Sequence, residues 1–167
     1  ALQVARACGA QVLATAGSEE KRALLRDLGV TTVADSRSLE FADAVRAATG
    51  GHGVDVILNA LPGPFIRVGL ELLAPYGRFL EIGKRDVYAD SAFGLRALAR
   101  NVSLHVIDLA RLGEERPADA RAALRALRRG LIDGTFAPLP GAWPTPCATW
   151  RRRATSARWW WTSPTRT

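Results

Sequence analysis

The segment Val54 to Leu61, read as VDVILNAL, most constrains what this chain can fold into. It is a nearly continuous apolar run of strand length, entered through Gly50, Gly51 and Gly53. A strand apolar on both faces must be covered on both faces, which is the condition of a central strand in a parallel sheet between layers of helix.

The rest of the body repeats that unit. Ala1 to Cys8 reads as the end of a helix closed by Gly9, and Gln11 to Ala16 as a strand. Gly17 and Ser18 form a turn and N-cap. Glu19 and Glu20 suit the positive end of the helix that follows, in which Ala23, Leu24, Leu25 and Leu28 supply a buried stripe. Strands are predicted at Thr31 to Ala34, Arg78 to Ile82 and Ser103 to Leu109. Helices are predicted at Leu39 to Thr49, Phe65 to Leu73, Ser91 to Ala99 and Pro117 to Arg129. Five strands alternating with helices predict an α/β fold with right-handed crossovers.

Charge divides the chain into two problems. The net charge is +7, yet residues 141–167 hold five arginines and no acid, so residues 1–140 carry only +2. All five tryptophans lie in the same tail. The body is therefore read as one domain, 1–140, and 141–167 as an aberrant basic, Trp-rich tail. A tryptophan-arginine tail invites a nucleic-acid patch or a membrane-surface anchor, but it has no helical period, and neither nucleic acid nor membrane is expected as a partner. Cys8 and Cys147, with no signal peptide and no long apolar run, fit a reducing cytoplasm.

In such a sheet, ligands bind outside the carboxyl ends of the strands. After the strand Gln11 to Ala16, where an acid would grip a ribose 2′-hydroxyl, stand Gly17 and Ser18, with Lys21 and Arg22 one turn on. A hydroxyl, helix-start amides and two cations suit a 2′-phosphate, and so NADP over NAD. A capped helix with surface charges accounts for the same residues equally well. Ser36-Arg37-Ser38 either reaches the same phosphate or is a polar turn. His52 and His105 have no third ligand type beside them, so no metal is expected.

Five segments resemble the enoyl reductase domains of modular polyketide synthases, in the zinc-independent medium-chain reductase superfamily. They are Ala14 to Arg22 (ATAGSEEKR), Ala34 to Ser38 (ADSRS), Gly50 to Leu61 (GGHGVDVILNAL), Leu72 to Asp90 (LLAPYGRFLEIGKRDVYAD) and Val106 to Leu109 (VIDL). The resemblance implies a Rossmann-type parallel sheet with helices on both faces. It implies NADPH as cofactor, with Ser18, Lys21 and Arg37 at the 2′-phosphate and Asn59, Leu61, Ile82 and Gly83 against the nicotinamide ribose and ring. It further implies hydride transfer to the β-carbon of an α,β-unsaturated thioester on an acyl-carrier protein, beside other synthase domains. Lys84 and Asp108 are the candidate acids for the α-carbon. Lys84 either donates that proton, aided by partial burial, or binds a phosphate or substrate carbonyl; Asp108 equally pairs with Lys84 or an arginine. A stand-alone quinone oxidoreductase and a non-catalytic nucleotide-binding remnant are the rival functions.

Departures from that pattern carry their own expectations. The family's first strand and glycine-rich pyrophosphate loop would lie ahead of Ala1, making this an N-terminally truncated sheet, and a barrel-like substrate domain would precede them. The isolated chain is thus expected to bind NADPH poorly and turn over little. Past Pro140 a closing strand of the form GKVVV is expected, whereas the chain reads Trp159-Trp160-Trp161. Tryptophan has one codon, TGG, and a one-base shift turns three of them into valine codons. A reading-frame change near Pro140 is the expectation, to be decided by sequencing the DNA.

Overall fold

The computed structural model describes residues 1–138 and 158–162. They fall into two compact units, one of residues 1–108 with 158–162, the other of residues 109–138. The first holds a six-stranded sheet in the order β2-β1-β6-β3-β4-β5.

Strand β1 (Gln11–Ala16) pairs in parallel with β2 (Thr32–Asp35). β3 (Val54–Asn59) pairs in parallel with β4 (Leu73–Glu81), which pairs in parallel with β5 (Ser103–Val106). Between β1 and β3 runs β6 (Arg158–Thr162), antiparallel to both, with Leu13 opposite Trp160 and Ile57 opposite Trp160 on its other edge. The sequence pattern predicts five strands; the sixth comes from the tail, where no alternation marks it. The frame-change expectation otherwise falls on residues outside those described.

The period-2 geometry of β1 sorts the core into two layers. Val12, Ala14 and Ala16 pack with Leu2 and Ala5 of α1 (Leu2–Ala7), Leu25 of α2 (Glu19–Asp27) and Val30. Leu13 packs on the other side with Phe41, Ala42 and Val45 of α3 (Phe41–Ala48), Leu70 of α4 (Pro64–Glu71), Ile57 and Phe79. Helices cover both faces, as the apolar run 54–61 requires. Of the stripe predicted for α2, only Leu25 is buried; Leu24 is 48% exposed and Leu28 37%. Nine residues give this helix little more than two turns, and only one face reaches the small side chains of β1.

Several boundaries differ from the sequence pattern: the strand predicted to reach Leu109 ends at Val106, and Leu109 opens a helix instead, while the helix predicted to reach Leu73 ends at Glu71. β4 begins at Leu73 rather than Arg78, because a register shift between Val54 and Val56 absorbs residues 74–77. Pro75, which has no amide hydrogen, sits in that bulge, and Tyr76 takes φ +64° beside it. The helix predicted at Ser91 to Ala99 is a 3₁₀ segment, Leu95–Arg100, started by an extended Gly94. Within the connection after β4 lies a single helical turn, α5 (Arg85–Tyr88).

The second unit, as far as it is described, is α6 (Leu109–Glu115) and α7 (Pro117–Ile132), with Phe136 folded back against Gly130. No helix among the described residues is long and apolar enough to cross a membrane.

Candidate functional site

Because β1 to β5 are parallel, their carboxyl ends lie on one edge of the sheet, and every site residue predicted from the sequence stands on that edge or just beyond it. Two clusters form. β1 and β3 flank β6, so the clusters are two strand spacings apart, about 10 Å.

The first cluster stands beyond β1 and β2. Ser18 caps α2, its Oγ accepting from the amide of Lys21 at 3.4 Å with extended backbone at φ −131°, ψ 150°. Arg22 points back into the strand ends: it donates to the carbonyl of Ala16 at 3.0 Å and pairs with Glu19 at 2.9 Å and Asp35 at 3.1 Å. With its side chain only 17% exposed, Arg22 ties β1, β2 and α2 together. Lys21 and Arg37 form no ion pair among the described residues; the Arg37 amide donates to Asp35 Oδ1 at 2.8 Å. Thr15 and Ser36 are buried, and the hydroxyl of each lacks a partner among the described residues. Hydrogen bonds from Arg26 and then Arg22 hold the Glu19 carboxyl below the usual carboxylate range.

The second cluster stands beyond β3 and β4. Asn59 and Glu81, register partners on adjacent strands, are 1% and 2% exposed. Asn59 Nδ2 donates to Glu81 and to the carbonyl of Leu61 at 2.8 Å, while the other Glu81 oxygen accepts from the amide of Gly83. A Cβ at Gly83 would lie 2.6 Å from that oxygen and 3.2 Å from the carbonyl of Ala60, so a larger residue here would displace the Glu81 carboxyl. The Ile82 amide continues the ladder to the carbonyl of Asn59 at 2.9 Å. Asn59, Leu61, Ile82 and Gly83 are thus brought together by one short stretch of sheet. Next to them, Lys84 Nζ lies 2.7 Å from Asp108 Oδ1, and the Tyr88 hydroxyl donates to Asp108 Oδ2 at 2.9 Å. The partial burial expected of Lys84 is weak: its side chain is 48% exposed, against 14% for Asp108.

Glu81, Tyr88 and Asp35 are missing from the sequence prediction. Glu81 carried a signal, since it shares the inward phase of β4 with Phe79, two residues before it. Tyr88 is one helical turn beyond Lys84. Asp35 is the last residue of its strand, a carboxyl-edge position like the others.

The fold has relatives among known proteins. The model of the zinc-binding dehydrogenase family matches residues 1–129. A mycocerosic acid synthase-like polyketide synthase of Mycolicibacterium smegmatis is 52% identical over 140 residues, 84% of this chain and 7% of that protein. The phthioceranic/hydroxyphthioceranic acid synthase of Mycobacterium tuberculosis is 46% identical over 140 residues, 84% of this chain and 6% of that protein. The chain therefore spans only a small part of the curated relatives it matches. Among solved structures, the nucleotide-binding subdomain of the enoylreductase domain of PpsC from Mycobacterium tuberculosis superposes with a TM-score of 0.77 at 46% identity, covering 83% of this chain and 77% of that one.

The metal in the family's name finds no ligand set here. Among the described residues no three His, Cys, Asp or Glu side chains gather so as to hold a metal ion, and His52 and His105 are both exposed.

Proposed function

Since the chain belongs to the zinc-binding dehydrogenase family, among the enoylreductase domains of polyketide synthases, we propose that it is the NADPH-binding part of an enoyl reductase acting on acyl thioesters carried by an acyl-carrier protein. The observation that carries this reading is the pair of clusters on one carboxyl edge. One is rich in cations and hydroxyls, the other holds a buried amide and a proton-bearing ion pair.

The residues present fit a nicotinamide dinucleotide phosphate. Ser18, Lys21 and Arg37 would hold the 2′-phosphate, and the hydroxyls of Thr15 and Ser36, without partners among the described residues, mark polar atoms in the same region. Arg22 enters this reading as the residue that neutralises Asp35 and Glu19, which would otherwise repel a dianion. Asn59, Leu61, Ile82 and Gly83 would receive the nicotinamide half. Gly83 leaves the space in which the Glu81 carboxyl stands beside Asn59. When bound, the cofactor supplies a hydride for the β-carbon of the enoyl thioester.

The chain's own task is then the proton. Saturating the double bond requires one proton at the α-carbon, and the Lys84 ammonium, held by Asp108, is the group that can give it. Asp108 is itself fixed by Tyr88, so its carboxylate remains aligned on Lys84 after the proton has left. A cytoplasmic setting and neighbouring synthase domains go with this reading.

The test joins this chain to the glycine-rich loop and substrate domain of an enoyl reductase, then offers crotonyl thioester or a quinone with NADPH or NADH. Thioester reduction preferring NADPH supports the proposal. Quinone reduction alone points to a quinone oxidoreductase, and nucleotide binding without reduction to a non-catalytic remnant.

A further inference from the structure

We propose that Glu81 is a positioning residue that sets the polarity of the nicotinamide-side subsite, making Asn59 present a hydrogen-bond acceptor to whatever enters. The inference rests on the nucleotide reading above and deepens it.

A primary amide can be turned end for end in its slot with little change of shape, so its neighbours decide which end faces where. At Asn59 the neighbours are Glu81 Oε2 and the Leu61 carbonyl, and both accept from Nδ2. Each takes one hydrogen of Nδ2. The reversed amide would set Oδ1 against two oxygens and leave both without a donor. Oδ1 is consequently the outward end, and it is buried with no partner among the described residues. A buried acceptor closed off from protein donors and from solvent awaits a donor that enters with a ligand. On the nicotinamide half of a dinucleotide, the donors are the ribose hydroxyls and the carboxamide N–H groups.

Glu81 has a second hold on the same subsite. Its other oxygen accepts from the Gly83 amide, fixing the turn that leads from β4 to Lys84. A single buried carboxylate therefore orients the amide on one strand and the start of the loop that leaves its own, and it does so without standing among the residues expected to touch the cofactor.

The substitution Glu81→Gln keeps the shape and removes one acceptor. The new amide nitrogen must face either Asn59 Nδ2 or the Gly83 amide, a conflict relieved when Asn59 turns over and offers a donor outward. In the 167-residue chain, two-dimensional amide spectra without ligand are expected to show the Gly83 N–H and the Asn59 side-chain pair shifted in E81Q, with the remaining resonances in place. In the chain joined to the glycine-rich loop and substrate domain, titration with NADP+ is expected to give about tenfold weaker binding by E81Q, or worse. The double variant E81Q/N59D, in which the introduced glutamine amide donates to an acceptor at position 59 that still faces outward, should recover part of that loss, the Leu61 carbonyl being left without its donor. A merely structural role predicts no recovery.

The 3-acetylpyridine analogue of NADP+, whose ring substituent has no N–H, separates the two donors. A wild-type penalty for the analogue that shrinks in E81Q assigns Oδ1 to the carboxamide, and equal losses for both nucleotides assign it to a ribose hydroxyl. Unshifted amide resonances in E81Q, or full NADP+ affinity in that variant, overturn the inference. A wild-type chain joined to the glycine-rich loop and substrate domain that still takes up no NADP+ overturns the nucleotide reading instead, and the ligand-free spectra still decide the role of Glu81.

Discussion

Lys84 Nζ and Asp108 Oδ1 stand 2.7 Å apart across the carboxyl ends of β4 and β5, joined by side chains that are 24 positions apart in the chain. The carboxylate is the more enclosed partner and the ammonium the more exposed one, so the proton-bearing end is the accessible end. If Lys84 gives the α-carbon proton, Lys84→Ala set into a complete enoyl reductase should lower kcat by about 10²- to 10⁴-fold, the range of a lost general acid. KM for NADPH should change little. Asp108→Asn should cost less, because the ammonium survives without its anchor. Steady-state kinetics with crotonyl thioester decide it, and a Lys84→Ala enzyme with unchanged kcat would falsify the assignment.

The two cations of α2 should respond differently to removal. Lys21 has no ion pair among the described residues, whereas Arg22 holds Ala16, Glu19 and Asp35. Lys21→Ala is therefore expected to weaken NADPH about tenfold, equivalent to about 1.4 kcal/mol, with NADH little affected and the melting temperature unchanged. Arg22→Ala should lower the melting temperature as well, since two carboxylates and a carbonyl each lose one of their donors together. Equal behaviour of the two variants in both assays would contradict the division of roles.

The sheet and its two covered faces were legible in the sequence because runs such as Val54 to Leu61 admit only one kind of environment. The edge residues were legible because strand ends can be counted. What the pattern missed depends on contacts between segments far apart in the chain. Glu81 reads as one more strand residue until Asn59, 22 positions earlier, is laid beside it. Arg22 reads as a free cation until Asp35 closes on it from the next strand. β6 was hidden for another reason: consecutive tryptophans show no period, and a strand flanked on both sides by others is set by its neighbours' register more than by its own composition.

The start of α2 supplies a pH dependence. Glu19 is held below the usual carboxylate range by Arg26 and then Arg22. A depressed folded-state value means that the contribution is present above the unfolded value, about pH 4.3, and disappears as pH falls through the folded value. From about pH 5 down to about pH 3, the wild-type melting temperature should fall more steeply than that of Glu19→Gln, and the two curves should converge at the acid end. The carboxylate is fully solvent-exposed, so the divergence at neutral pH should be small and should shrink further in salt. Parallel curves across this range would show that the Glu19 pairs contribute nothing.

Gly53 is the position where one added methyl group should do most harm without touching the site. Its φ of +94° lies where residues with a Cβ are strained, and that atom would sit 2.6 Å from the carbonyl of Leu72 and 2.8 Å from the amide of Ala74. These are backbone atoms at the start of β4, where the Val54 amide donates to the Leu72 carbonyl at 2.9 Å, so neither can move aside without disturbing the entry of the central strand. Gly53→Ala should destabilise by about 1–3 kcal/mol or more, read as a shift of the urea midpoint with the slope retained. At Gly50 and Gly51, where φ is also positive but nothing lies within 4 Å of the added carbon, alanine meets only the conformational penalty. The loss at Gly53 should therefore exceed both. A Gly53→Ala variant no less stable than Gly51→Ala would mean that the close approach of the two strands does not limit the fold.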